Sequence, residues 1–215
     1  MKKILLIGGG GHCRSVIDTL LSSADYDEIG IIERTAGDYS PVRGIAVVGT
    51  DADLPRLHKE GWTDAFVTLG SVGHTEVRRR IASQLQETGF HMPTVIDRSA
   101  VIAGDVVIGD GTYVGKGAVI NAGARIGNCA IINTGAILEH DCIVGSFAHV
   151  STRAALCGQV RVGDDTHVGA GTVVRQVISI GCDALIGAGS VVVKDIPDGV
   201  TAYGNPCRVQ EKPGI

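Results

Sequence analysis

The chain has few aromatic residues and no excess of positive charge. Phenylalanine, tryptophan and tyrosine make up 4% of its 215 residues, and the formal net charge is -4. A core must therefore be built from smaller aliphatic side chains. The negative balance argues against a nucleic-acid partner, so an anionic ligand must be met by local groups and not by the field of the whole protein.

Long hydrophobic runs and closely spaced cysteine pairs are absent as well. The first apolar run, residues 4–7, ends at Gly8 and is too short for a signal peptide or a membrane span. The six cysteines show no C-x-x-C spacing. We therefore predict a cytoplasmic protein with free thiols and no membrane partner.

The chain contains instead a continuous repeat of six residues. Residues 101–196 divide into sixteen hexads, whose second place is always aliphatic, as in Ile102, Val114 and Ile132. A period of six fits a chain that turns a corner every six residues. Three corners would close a triangular coil, with the aliphatic side chains stacked inside and successive coils paired as parallel strands ~4.8 Å apart. Glycine or another small residue usually follows the aliphatic one, where a tight corner tolerates little bulk.

The first 95 residues follow a different pattern, in which short apolar runs alternate with amphipathic segments. This alternation predicts a small parallel sheet with helices packed on it. The predicted strands are residues 4–7, 29–32, 45–48 and 65–69, and the predicted helices are residues 12–21, 53–59 and 74–87. We therefore predict two domains, residues 1–95 and residues 96–215, the second ending in a C-terminal cap.

Three turns at the carboxyl ends of the predicted strands are candidate ligand contacts. They are residues 8–12, residues 33–34 and residues 70–71. Ligands of open parallel sheets lie beyond these strand ends, and a glycine turn that opens a helix offers free N–H groups to a phosphate. The match to a dinucleotide fingerprint is poor, because Cys13 or Arg14 stands where the third glycine belongs. Alternatively, the glycines only allow the strand and helix to pack closely.

Histidines and carboxylates interrupt the small residues of the repeat. Glu139, His140 and Asp141 are consecutive, and His149 and His167 lie eighteen residues apart, which predicts that they stack one coil apart. An imidazole beside a carboxylate is suited to general-base catalysis, because the carboxylate orients the ring and stabilises its protonated form. The alternatives are plain surface positions, above all for His167, or a zinc site. Solenoid carbonic anhydrases carry a His-x4-His pair that this chain lacks, so we predict no metal.

The chain resembles bacterial N-acetyltransferases of nucleotide-linked 4-amino sugars. The segments that carry this resemblance are residues 132–142, residues 147–151 and the glycine turn at residues 8–12. This family includes bacillosamine-pathway and perosamine enzymes and is grouped with sialic acid O-acetyltransferases. The resemblance implies a Rossmann-like α/β domain that binds the nucleotide-sugar, followed by a left-handed parallel β-helix that binds acetyl-CoA. It also implies a homotrimer, with acetyl-CoA between neighbouring solenoids.

The resemblance assigns roles to individual residues. His140 would be the general base and Asp141 its partner, while His149 would contact the thioester region. The remaining predicted acetyl-CoA contacts are Asn133, Gly158, Ala170 and Ala188. The predicted nucleotide-sugar contacts are Gly10, Gly11, His12, Glu33, Arg34 and Gly70. Relatives commonly have an aspartate-rich strand end where this chain has Glu33 and Arg34, so the nucleobase stays open.

These roles predict direct acetyl transfer from acetyl-CoA to a sugar amine in bacterial glycan biosynthesis. Three alternatives remain open from the sequence. One is an O-acetyltransferase that acts on a sugar hydroxyl with the same base. The second is a non-catalytic trimeric scaffold with the same fold, and the third is acetyl transfer through a cysteine nucleophile.

Overall fold

The computed structural model describes residues 1–37 and 39–210, and the chain divides into two compact units. The first unit comprises Met1–Ser71 and Glu76–Arg98. The second comprises Val72–Thr75 and, among the described residues, 99–210. Among the described residues, no helix has the length and apolar character needed to cross a membrane.

The first unit is a four-stranded parallel sheet with helices. Its strands have the order β3-β2-β1-β4. The strands of this sheet are β1 (Lys3–Ile7), β2 (Glu28–Glu33), β3 (Val47–Thr50) and β4 (Asp64–Val67). The short strand β5 (Val95–Ile96) follows in the chain and is not part of this sheet. The helices are α1 (Gly11–Ser23), a 3-10 helix (Asp51–Asp53), α2 (Leu54–Lys59) and α3 (Glu76–Thr88). This arrangement confirms the predicted α/β class.

Burial explains why the first apolar run forms the central strand. Ile4, Leu5 and Leu6 are all fully buried, as expected for a parallel strand covered on both faces. The third strand begins two residues later than predicted. The predicted helix at residues 53–59 is preceded by the 3-10 turn, because Thr50 and Asp53 form a capping box there.

The second unit is a left-handed parallel β-helix in which every hexad contributes one two-residue strand. The sixteen strands, β6 to β21, are Val101–Ile102, Val107–Ile108, Tyr113–Val114, Val119–Ile120, Arg125–Ile126, Ile131–Ile132, Ile137–Leu138, Ile143–Val144, His149–Val150, Ala155–Leu156, Arg161–Val162, His167–Val168, Val173–Val174, Ser179–Ile180, Leu185–Ile186 and Val191–Val192. Each strand from β6 to β18 pairs in parallel with the one three hexads later, for example β11 with β14. The hairpin of β22 (Thr201–Gly204) and β23 (Cys207–Val209) continues this unit, and Ala202 and Cys207 join its core.

Three faces result from this pairing, and we name them by their first strands. Among the sixteen hexad strands, face A starts with β6, face B with β7 and face C with β8. The chain turns from A to B, from B to C and from C back to A. The A–B corner therefore holds residues 121–124, 139–142 and 157–160, and the C–A corner holds residues 133–136 and 151–154.

The aliphatic second places form the predicted internal stack, and the corners explain the glycines. Val114, Ile132 and Val150 are fully buried members of this core. A Cβ on Gly163, in the third place of its hexad, would lie 2.5 Å from the backbone nitrogen of Cys182 in the next coil. The fifth place adopts left-handed backbone even without glycine, as at Asp141 with φ 59°. The glycine requirement at the third place was expected, whereas the left-handed fifth place was not.

Candidate active site

His140 and Asp141 form a hydrogen-bonded pair on the A–B corner. His140 Nδ1 lies 2.9 Å from Asp141 Oδ2, and both side chains are more than half exposed. The left-handed backbone of Asp141 and its main-chain bond to Ala122 fix the turn. With Nδ1–H donated to the carboxylate, Nε2 is the ring nitrogen that can accept a proton.

Two glycines make room for this pair. A Cβ on Gly158, one coil further, would lie 2.4 Å from His140 Nε2 and 2.7 Å from its Cε1. A Cβ on Gly123, one coil earlier, would lie 2.5 Å from Asp141 Oδ1. The structure therefore places Gly158 against the imidazole of His140.

A second polar group lies on face C and at the C–A corner. The side-chain amide nitrogen of Asn133 lies 3.1 Å from His149 Nε2, so Nε2 accepts this hydrogen bond and the ring proton lies on Nδ1. The rings of His149 and His167 meet edge to face with centroids 4.8 Å apart, as the eighteen-residue spacing predicts. Ser151 Oγ lies 3.3 Å from His167 Nε2. The interpretation of His167 as a surface residue was wrong, because it is only 8% exposed.

A groove of about 410 Å³ unites most of the predicted acetyl-CoA contacts. Its lining includes Asn133, His149, Ala170 and Ala188. Ser151 and Thr152 line it too, although they are not among the contacts predicted from the sequence. The repeat could have identified Ser151 and Thr152, because they occupy the same hexad places as Asn133 and Thr134, one coil further along the same corner.

Within one chain the two polar groups are not neighbours. His140 stands on the A–B corner, whereas the groove follows face C and the C–A corner. Face A separates these two corners. A single solenoid therefore does not bring the imidazole of His140 to His149.

In the first unit, the glycine turn opens α1. Gly10 is the N-cap residue of this helix, and a Cβ on Gly10 or Gly11 would meet nothing within 4 Å. The N–H of Gly9 donates to Glu33 Oε1 at 2.9 Å. A Cβ on Gly70 would lie 3.9 Å from the Cβ of His12, so the structure brings these two predicted contacts together. The turn thus leaves main-chain N–H groups open to a ligand.

His12 is held in its neutral form. Burial, with a smaller contribution from the nearby Arg78 guanidinium, lowers the pKa of His12 from 6.5 to about 4. A neutral imidazole has one N–H donor that a phosphate or sugar oxygen could accept.

A cavity of about 230 Å³ lies beside the turn. Glu33 and Arg34 line it, together with Asp51 and Arg80, which are not among the contacts predicted from the sequence. These residues come from separate strands and helices, so only the folded sheet edge shows that they belong to one site. No local sequence signal marks Asp51 or Arg80.

All six cysteines are free thiols. Burial raises the pKa of both Cys13 and Cys142 to about 11, which keeps these thiols protonated and poorly nucleophilic at neutral pH. Across residues 1–37 and 39–210, no group of three histidine, cysteine or carboxylate side chains has the arrangement of a metal site.

Comparisons with known proteins match both units. The family model described as the PglD N-terminal domain matches residues 3–85, and the one described as the GMPPB C-terminal domain matches residues 90–180. The comparison with curated protein sequences gave no match.

Solved structures match the chain over nearly its whole length. PerB from Caulobacter crescentus, in complex with CoA and GDP-perosamine, is 36% identical, with 98% of each chain covered and a TM-score of 0.91. The acetyltransferase domain of PglB from Neisseria gonorrhoeae FA1090, in complex with acetyl coenzyme A, is 33% identical, with 97% of this chain and 99% of that chain covered and a TM-score of 0.89. WeeI from Acinetobacter baumannii AYE is 19% identical with a TM-score of 0.66, which shows the fold alone.

These matches confirm the resemblance stated from the sequence. The fold, the residues matched and the full-length identity agree with one another. The chain therefore belongs to the hexapeptide-repeat N-acetyltransferases of nucleotide-linked amino sugars.

Proposed function

We propose that this protein transfers an acetyl group from acetyl-CoA to the 4-amino group of a nucleotide-linked sugar, with His140 as the general base. The bond between His140 Nδ1 and Asp141 carries this proposal, because it orients the ring and leaves Nε2 as the proton acceptor. Family membership supports the reaction type. The sugar amine reacts in its neutral form.

The transfer is direct. The amine nitrogen attacks the thioester carbonyl, a C–N bond forms, and Nε2 of His140 takes the proton that the nitrogen loses. The C–S bond then breaks, and the departing thiolate takes up the proton from the imidazolium. Asp141 stabilises that imidazolium while it exists.

Acetyl-CoA occupies the groove on face C. Ala170 and Ala188 are exposed and small, so a long thin ligand can approach their backbone closely. His149 contacts the thioester region, and Asn133 holds the His149 ring through the 3.1 Å contact. Gly158 contributes by accommodating the base and not by lining this groove.

The nucleotide-sugar is bound by the first unit. The N–H groups at Gly10 and Gly11 meet the phosphates at the start of α1. His12 donates its N–H to the same ligand, with Gly70 beside it. Glu33 and Arg34 lie at the end of β2, where the ribose and base follow.

A homotrimer would complete the site. The outward first places of the face A strands are all apolar, and Val101, Ile137 and Val173 are 64%, 37% and 44% exposed. An apolar strip of this kind suits contact with a second copy. Packing through face A would set the A–B corner of one copy against the C–A corner of its neighbour, which brings His140 to the acetyl-CoA groove. Light scattering should give three times the chain mass of 22.2 kDa, and a monomeric mass with full activity would contradict this assembly.

Replacement of the base tests the mechanism. His140→Ala should lower kcat by about 10²- to 10⁴-fold with little change in KM, because general-base catalysis contributes that range. CoA release can be followed with a thiol reagent. His91→Ala is a matched control, since His91 also contacts a carboxylate, Asp64 at 3.3 Å, but is not part of the proposed site. If His140→Ala retained activity within threefold of the unsubstituted protein, His140 would not be the base.

A panel of acceptors separates the remaining alternatives. Amino sugars linked to nucleotides should be acetylated, whereas hydroxy sugars such as sialic acid should not. Intact-mass measurement after mixing with acetyl-CoA alone should show an unmodified chain. An acetylated chain would favour a thiol intermediate, and the absence of CoA release with every acceptor would favour a scaffold.

A further inference from the structure

The cavity beside the glycine turn has apolar walls and a charged rim. The apolar walls are formed by Ile7, Ile32, Leu69 and Ile81. The charged residues are Glu33, Arg34, Asp51 and Arg80. The cavity lies at the carboxyl ends of β1 and β2, where open parallel sheets bind ligands. A flat apolar body with a polar edge would fit this slot.

The charged side chains differ in whether they already form hydrogen bonds or ion pairs within the chain. Glu33 accepts the N–H of Gly9, so its carboxylate is directed to the glycine turn. Among the described residues, the one side chain that hydrogen-bonds to Asp51 is that of Gln84. It donates to the main-chain carbonyl of Asp51 and not to the carboxylate. Arg34 and Arg80 are exposed and form no ion pair within residues 1–37 and 39–210. The slot thus presents one carboxylate and two guanidinium groups to a ligand.

We propose that this slot binds a guanine base, so that the substrate is a GDP-linked amino sugar. The inference rests on the proposed binding of a nucleotide-linked sugar by the first unit. Guanine carries two adjacent donors, N1–H and the N2 amino group, which match the two oxygens of the Asp51 carboxylate. Its O6 and N7 are acceptors that one guanidinium group can bind together. The purine face packs against the apolar walls.

Other bases match this set of groups less well. Uracil has a single donor, N3–H, between two carbonyl oxygens. A carboxylate that accepts N3–H would leave its second oxygen facing a carbonyl lone pair, which is repulsive. Adenine has one amino donor next to an acceptor nitrogen and meets the same difficulty. Since a good bidentate pair discriminates by about 1–3 kcal/mol, we expect GDP to bind about 5- to 150-fold more tightly than UDP.

The proposal is tested by measuring nucleotide binding to the full chain. One hydrogen-bonding pair between the base and residue 51 is changed on both sides, in the ligand and in the protein. In xanthosine diphosphate, a carbonyl replaces the N2 amino group of guanine. Asp51→Asn supplies an amide oxygen for N1–H and an amide N–H for that carbonyl. Calorimetric titration should therefore show GDP binding weakened about 10-fold or more and xanthosine diphosphate now bound in preference to GDP. A loss of folding would not produce this reversal.

A second variant pair keeps the test independent of Asp51. Arg80→Ala should weaken GDP binding several-fold, whereas Arg79→Ala should not, because the neighbouring Arg79 is exposed and does not line the slot. The proposal is overturned if the unsubstituted chain binds UDP at least as tightly as GDP. It is also overturned if a folded Asp51→Asn protein keeps the GDP-to-xanthosine-diphosphate ratio, or if Arg80→Ala and Arg79→Ala behave alike. A preference for GDP without acetyl transfer to any nucleotide-linked amino sugar would instead contradict the proposed function.

Discussion

A methyl group at Gly158 tests whether the position of His140 matters as well as its presence. In Gly158→Ala, the new Cβ would lie 2.4 Å from Nε2 and 2.7 Å from Cε1 of His140. An ordinary non-bonded contact is about 3.5 Å, so the ring has to move by about 1 Å. The His140 side chain is 60% exposed and can move outward without disturbing the core. The substitution should therefore displace the imidazole of His140, the proposed base, and leave the solenoid intact.

A displacement of about 1 Å in a catalytic group costs on the order of 10²-fold in rate. We expect Gly158→Ala to lower kcat by about that factor and to change the KM for acetyl-CoA little. The rate of CoA release measures the first effect, and thermal unfolding checks that the fold is retained. In a His140→Ala background, the same methyl should add no further loss, because the group it displaces is already absent.

The repeat supplies a matched control for this substitution. Gly104 occupies the same fourth place of its hexad on the same corner, and a Cβ there meets nothing within 4 Å. Ala122, at this place in an intervening coil, shows that the corner accepts a methyl group. Gly104→Ala should therefore be as active as the unsubstituted enzyme. The reasoning fails if Gly158→Ala stays within threefold of full activity, or if Gly104→Ala loses as much.

Two further predictions concern stability. His12 has a pKa of about 4 in the folded protein, below its ordinary 6.5. As the pH falls, the unfolded chain therefore binds the proton first. Protonation of this residue should lower the unfolding free energy by at most about 3 kcal/mol between pH 6.5 and pH 4. Urea titrations across that range should show a shallower pH dependence for His12→Gln, and an unchanged slope would contradict the burial of a neutral ring. Thr166 is fully buried, donates to the carbonyl of Gly181 and accepts the N–H of Ala184. Thr166→Val should cost about 1–3 kcal/mol, because both main-chain groups lose their partner. The exposed Thr134→Val is the control and should change the unfolding free energy by under about 0.5 kcal/mol.

The six-residue period allows much of the solenoid to be predicted from sequence. It determines which side chains point inward, and it places His149 and His167 in register one coil apart. It also distinguishes corner residues such as His140 from face residues. These relations are local or repeat at a fixed interval, so they can be predicted without knowledge of the tertiary structure.

Contacts between distant segments could not be predicted in the same way. His167 looked like a surface residue, but it is buried in the groove that Val72 also lines. The segment Val72–Thr75 lies far away in sequence and is held to the solenoid by a hydrogen bond from Thr75 to Asp165. The contact of Gly158 with His140 likewise depends on side-chain direction, which the hexad pattern does not specify. The meeting of Asp51 and Arg80 depends on how the sheet edge assembles.

The three-sided repeat also restricts how the length of such a protein can change. Adding or removing one full turn of eighteen residues leaves every later side chain on its original side, whereas a change of six moves all of them round to the next side. Viable insertions and deletions should therefore come in whole turns. Each would lengthen or shorten the proposed acetyl-CoA groove in a step of about 4.8 Å, so the length of groove available to the ligand changes in discrete increments.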